Sequence, residues 1–160
     1  MATGTHSQVV TPAHTPYRVG FLLIDNLTLI ALATAVEPLR MANQLAGSEL
    51  YSWKLLTVDG EAARASDGIT MVPDASISDE QDFDLVIAVA GVDVSHSFSR
   101  KEVSWLRKMA RRHVSLGAVC TGAYVLASAG LLDGYSCSAH WECLEAIQEQ
   151  FPRVQTNNHL

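Results

Sequence analysis

Two short apolar runs bounded by polar residues, Val19 to Ile24 and Leu85 to Ala90, set the pattern of the chain. Unbroken apolar runs of this length, in contrast to alternating ones, predict strands buried on both faces, as in a parallel sheet. After the first run, Leu27 to Ala46 carries apolar positions at Leu32, Val36, Leu39 and Met41, and Gly47 offers a stop, so a helix follows the strand. Trp53 to Val58 predicts the next strand. Arg64 to Ser78, with Asp67-Gly68 at a turn, predicts a hairpin excursion before Leu85 re-enters the sheet.

Ser99 with Glu102 three residues on makes a capping box, and Val103, Leu106, Met109 and Ala110 give the following helix a buried stripe as far as about His113. Val114 to Val119 predicts a third short buried strand, Gly122 to Ala129 a helix of small residues, Tyr135 to Ala139 another brief strand, and Trp141 to Gln150 a last helix. Strands alternating with helices imply an α/β domain with a doubly wound, mostly parallel sheet and helices on both faces. Any site is then expected at the carboxyl ends of the strands.

A chain of 160 residues with 48% hydrophobic content suffices for one such core. Its formal charge of −6 has the wrong sign for a domain that holds nucleic acid over its own surface. Six of the eleven basic residues nevertheless fall together, at Arg100, Lys101, Arg107, Lys108, Arg111 and Arg112, and a solvated outer helix face is the expectation there. Met1 to Thr15 is polar and lacks the apolar core of a secretory signal, so it reads as a loose tail. No apolar run approaches the roughly 20 residues of a membrane-spanning helix. A soluble, cytoplasmic protein is expected.

Three cysteines, Cys120, Cys137 and Cys143, are an odd number without a CxxC, which argues for free thiols. Cys137, His140 and Cys143 have a tempting metal-like spacing, but a structural zinc needs a fourth ligand and none is adjacent. No metal or cofactor is expected. Cys137 and Cys143 read as core residues at a strand and a helix.

The informative segment is Leu116 to Ala123, where an apolar strand runs into Cys120-Thr121-Gly122 and then a helix of small residues. That is the grammar of a nucleophile elbow, a tight strand-to-helix turn that lifts one side chain out of the sheet edge. A free cysteine also serves often as a small core hydrophobe. The elbow is the preferred reading. His140, before Trp141, either lines a pocket near the elbow or acts as a base there, or it is a capping or core histidine, and the two accounts fit equally.

Val119-Cys120-Thr121-Gly122-Ala123, Ala129-Gly130-Leu131-Leu132-Asp133-Gly134 and Ala139-His140-Trp141 resemble the ThiJ/PfpI (class I glutamine amidotransferase-like) superfamily over most of residues 17–160. More narrowly, Ala35 to Asn43, with Glu37-Pro38-Leu39-Arg40, resembles the sensor domains of GlxA-like AraC-family regulators. The resemblance implies a flavodoxin-like domain, usually dimeric, that binds a small metabolite near the elbow and controls DNA binding by helix-turn-helix units. Those units are absent from the sequence. The family domain extends past the point corresponding to Leu160, so residues 16–160 read as a sensor domain incomplete at its C-terminus. Amino-acid derivatives and quaternary amines are the implied effectors.

The rival reading is a cysteine-dependent enzyme such as an isocyanide hydratase, which shares Cys-Thr-Gly and a later His-Trp. Those enzymes place a carboxylate opposite the cysteine, where this chain has Ala31, and members with an adjacent Cys-His pair have His where Thr121 stands. A redox-responsive Cys120 is a third, weaker reading. Sensing ranks above catalysis. The candidate ligand contacts are Glu37, Gly91, Cys120, Thr121 and His140, with Cys120 catalytic only on the enzyme reading.

Overall fold

The computed structural model of the chain describes residues 15–79 and 82–157, so the expected N-terminal tail lies almost wholly outside the described residues. In chain order the elements are β1 (Tyr17–Leu23), α1 (Leu29–Ala46), β2 (Tyr51–Thr57), β3 (Ala63–Arg64), β4 (Thr70–Met71), β5 (Ala75–Ser76) and β6 (Leu85–Val89). There follow α2 (Arg100–Arg111), β7 (Ser115–Val119), α3 (Gly122–Ser128), β8 (Ser136–Cys137), α4 (Trp141–Gln150) and β9 (Gln155–Thr156).

Five strands form the main sheet in the order β5-β2-β1-β6-β7, every neighbouring pair parallel. The pleat of β1 sends Val19, Phe21 and Leu23 to one face, where they pack with Leu32 of α1, and Leu22 to the other, where Leu106, Met109, Val125 and Ile147 of α2, α3 and α4 meet it. Helices therefore cover both faces, and the doubly wound flavodoxin-like architecture holds. Among the described residues no helix is long and apolar enough to cross a membrane.

Local chemistry accounts for the helix ends. Gly47, at φ 62°, stops α1 in the left-handed conformation that glycine adopts without penalty. Ser99 and Glu102 close a reciprocal capping box on α2, with Ser99 Oγ accepting from the Lys101 amide and Glu102 Oε2 accepting from the Ser99 amide at 3.0 Å.

Four expectations need correction. Helix α1 starts at Leu29, because Leu27 is bridged to Ala65 and Gly91 and fully buried, and Met41 of the expected stripe is 41% exposed. The excursion after β2 does make a hairpin, β3 with β4, but it then returns to the main sheet as β5, parallel to β2. Strand β7 is half-buried and not enclosed, because among the described residues β6 is its only strand neighbour. Tyr135 to Ala139 yields only the two-residue β8, which leaves the main sheet and pairs with β9.

Helix α2 is held by Leu106 and Met109, both fully buried, while Arg107 and Lys108 between them face solvent. Leu106→Ala should cost about 2–5 kcal/mol by leaving a cavity, and Lys108→Ala less than about 0.5 kcal/mol. Equilibrium denaturation of the two variants checks this. Equal losses would mean that α2 is not anchored on this face.

Candidate functional site at the Cys120 elbow

Three strands of the sheet, β1, β6 and β7, end side by side, and their following loops meet over Gly91. A Cβ at Gly91 would lie 2.2 Å from the Asn26 carbonyl oxygen and 2.6 Å from the Thr28 nitrogen, so only glycine lets these two loops touch. The contact is tied by backbone bonds, with the Val92 amide donating to Asn26 O at 3.0 Å and the Thr28 amide to Ala90 O at 3.3 Å. From the third strand, the buried Thr121 hydroxyl donates to Gly91 O at 2.7 Å. Gly122 closes the set, since a Cβ there would sit 2.2 Å from Ala88 O.

Cys120 turns the chain from β7 into α3 at φ 55°, the left-handed region that costs a side-chain-bearing residue about 1–2 kcal/mol. The expected elbow is thus present. Its thiol is partly exposed and donates to Thr28 Oγ1 at 3.6 Å, a long contact of the kind sulfur makes. Ala31, the residue expected opposite the cysteine, lies in the first turn of α1 and carries no ionisable group.

Two grooves flank the elbow. One, of about 430 Å³, is lined by Cys120, Cys137, Ala139 and His140 together with β7. The other, of about 340 Å³, is lined by Gly91, Asp93, Thr121, Tyr124, Trp141 and Glu142. A third hollow, beside Arg18 and Trp53, lies at the amino ends of the strands, the wrong end of a parallel sheet for its site. The structure therefore brings Gly91, Cys120, Thr121 and His140 together. Glu37 stands apart, exposed on α1 and paired with Arg40 at 2.7 Å.

His140 caps α4, its Nδ1 accepting from the Glu142 amide at 3.4 Å and lying 3.5 Å from the Glu142 carboxylate. Both sequence readings of this residue are realised at once, since it also lines the groove beside Cys120. Cys143 is buried on α4, where burial, and then the neighbouring Cys120, pushes its thiol up to about 11. Burial likewise raises the Cys137 thiol. Among the described residues no three His, Cys, Asp or Glu side chains are placed to share a metal ion.

Sequence reasoning missed Asp93, Tyr124, Trp141 and Glu142 as groove residues and Thr28 as the partner of the thiol. Asp93 and Thr28 follow strands that were recognised, and the rule that sites sit beyond strand carboxyl ends points to both. Trp141, 75% exposed, is an indole left bare at the first turn of α4, which the His-Trp pair signals.

The model of the DJ-1/PfpI family matches residues 17–156. The chain belongs to the DJ-1/PfpI family. This DJ-1/PfpI domain is 53% identical over 157 residues to the HTH-type transcriptional regulator GbdR of Pseudomonas aeruginosa, covering 98% of the chain and 43% of that protein. It is 35% identical to the HTH-type transcriptional regulator GlxA of Rhizobium meliloti, covering 86% of the chain and 43% of that protein. The chain thus spans less than half the length of these curated relatives. Among solved structures, an AraC family transcriptional regulator from Pseudomonas putida superposes with a TM-score of 0.82 at 26% identity, over 90% of this chain and 77% of that one. The resemblance to GlxA-like regulator domains holds.

Two measurements test the site as built. Gly91→Ala should cost more than about 2 kcal/mol, because its Cβ would overlap backbone, whereas Gly117→Ala, whose Cβ meets only side-chain carbons at 3.6 Å or beyond, should stay within about 1 kcal/mol of wild type. Similar melting curves for the two would contradict the close approach. In the second, the Asp93 carboxylate, 2.8 Å from His96 Nδ1, holds the exposed His96 above its ordinary value near 6.5. A raised pKa stabilises the protonated folded form, so this contribution is present at acid pH and fades as pH rises through the folded value. An NMR titration should find His96 above about 6.5 and returned to about 6.5 in Asp93→Asn.

Proposed function

We propose that this domain is the effector-sensing part of a transcription regulator, taking a small organic cation, an amino-acid derivative or a quaternary amine, at the Cys120 elbow without turning it over. The observation that carries the proposal is the composition of the groove beside Thr121. The Trp141 indole, 75% exposed, offers a π face, and Asp93 and Glu142 supply carboxylates without a lysine or arginine among the lining residues. Aromatic faces with nearby carboxylates suit a cation whose charge is spread over methyl groups or a guanidinium.

Gly91 and Thr121 form the floor of this groove, and Cys120 and His140 border the neighbouring one. Glu37 serves a ligand only if α1 or a second subunit brings it near. A homodimer is part of the proposal, and Ile30, 70% exposed, and Leu45, 80% exposed, at the two ends of α1, are apolar side chains that a second subunit would cover. Sequence-specific DNA contact falls to helix-turn-helix units like those of the named relatives, and the setting is the cytoplasm.

The enzyme reading is favoured by one feature, the left-handed Cys120 that projects its thiol between the grooves. Against it stands the thiol's partner, the Thr28 hydroxyl, which does not act as a base near neutral pH.

Calorimetry with a trimethylammonium compound, arginine and an uncharged tert-butyl isostere separates these readings. The cations should bind and the isostere should not, with Trp141→Ala weakening binding roughly 2- to 30-fold. A hundredfold excess of ligand over its Kd should add about 2.7 kcal/mol of stability. No binding by any cation would sink the sensing reading, and turnover of a substrate that Cys120→Ser abolishes would install the enzyme in its place.

A further inference from the structure

The net charge of −6 conceals a segregation. On α2, Arg100, Lys101, Arg107, Lys108 and Arg111 are all exposed, while the helix's one acid, Glu102, is 6% exposed and spent on the capping box. At 100° per residue, Arg100, Ser104, Arg107 and Arg111 form one row with Lys101 and Lys108 beside it, all within an arc of about 120°. Among the described residues no carboxylate forms an ion pair with any of these five cations. Arg107 Nε donates to the Ala129 carbonyl at 2.8 Å, which leaves the far side of its guanidinium outward. The result is a stripe about 17 Å long that carries positive charge alone.

We infer that this face of α2 lies on the phosphate backbone of DNA when the regulator is bound to its operator, an inference that rests on the regulator reading above. Its five cations are enough to neutralise four to five phosphates of a duplex that presents one charge per about 1.7 Å of axis over its two strands. The composition favours DNA over an acidic protein. The face has no exposed apolar or aromatic residue to anchor a protein interface. Arginine, lysine and the Ser104 hydroxyl are the groups that phosphate oxygens accept from. The acidic remainder of the domain does not forbid the contact, because a Debye length of about 10 Å at 0.1 M salt screens charges on the far side of the sheet. Such a contact carries no sequence information. It adds affinity and fixes the orientation of the sensor on the duplex while base readout belongs to other parts of the regulator.

Fluorescence anisotropy of a labelled duplex of arbitrary sequence, titrated with this 160-residue chain, tests the inference. With four to five phosphates neutralised, log K should fall against log salt with a slope of about −4, a loss of about 250-fold between about 25 and about 100 mM salt. Arg100→Gln, Lys101→Gln, Lys108→Gln and Arg111→Gln together should abolish binding with the melting temperature unchanged, since all four side chains face solvent. Removing two cations elsewhere, by Arg64→Gln with Arg153→Gln, should leave it intact. Absence of binding at low salt, or a fourfold variant that binds like wild type, overturns the inference. So does a poly-glutamate chain of matched charge that binds as tightly as the duplex, since the face is then a protein-docking surface. The sensing reading fails on different grounds, a silent panel of cations, so the two failures are told apart.

Discussion

Everything at the carboxyl end of this sheet depends on one contact, the van der Waals approach of Gly91 to the backbone of Asn26 and Thr28. That contact fixes the loop after β1 against the loop after β6, and the Thr121 hydroxyl on Gly91 O fixes the turn after β7 against both. Three loops from three strands become one rigid floor. The fold supplies the constraint, because parallel neighbours end at the same edge and connect by crossovers that return along one face or the other. Thr28 therefore meets Cys120 across 92 residues of sequence as a consequence of strand order, without any local signal joining them.

The same strand order explains why the two flanks of the elbow differ chemically. Among the described residues β7 has one strand neighbour, and the groove along it is bounded by the apolar side chains of Leu116, Leu126 and Leu132. The other groove opens over β6, between the loop carrying Asp93 and the first turn of α4 carrying Trp141 and Glu142, and is consequently polar and aromatic. His140 stands between them. As the cap of α4 its ring orientation is coupled to that of the helix whose next two residues form the aromatic and acidic wall.

How much was legible in the sequence follows from which interactions are local. Strands β1 and β6 and the capping box on α2 were readable because an apolar run or a pair of residues three apart encodes each of them. The exposure of β7 was not readable. Val114 to Val119 is apolar whichever side is covered, and only the sheet order reveals that one side lacks a strand. Tyr135 to Ala139 failed for a related reason, since its partner β9 lies beyond an intervening helix and claims just two residues. At the site, Cys120, Thr121 and His140 were legible through spacing and resemblance, whereas Thr28 was hidden because the sequence placed it inside a helix expected from Leu27 and no local signal joins it to Cys120. In the structure Thr28 makes no side-chain cap bond, and its hydroxyl accepts from the thiol.

That last detail bears on what the elbow is for. A non-glycine residue held at φ 55° costs about 1–2 kcal/mol, and glycine would fill the turn at lower cost, so the cysteine side chain is retained against a local penalty. A nucleophile would justify the penalty if a base or an acid stood by to move its proton. The group the thiol touches is the Thr28 hydroxyl, which accepts its hydrogen bond at 3.6 Å. What the strained turn then presents is a fixed, polarizable thiol surface beside a dry wall and an aromatic one. Such a surface is suited to recognition by shape and weak hydrogen bonding. Strain at this turn is accordingly consistent with pre-organisation for a ligand, the use of strain that asks for no chemistry from the residue that bears it.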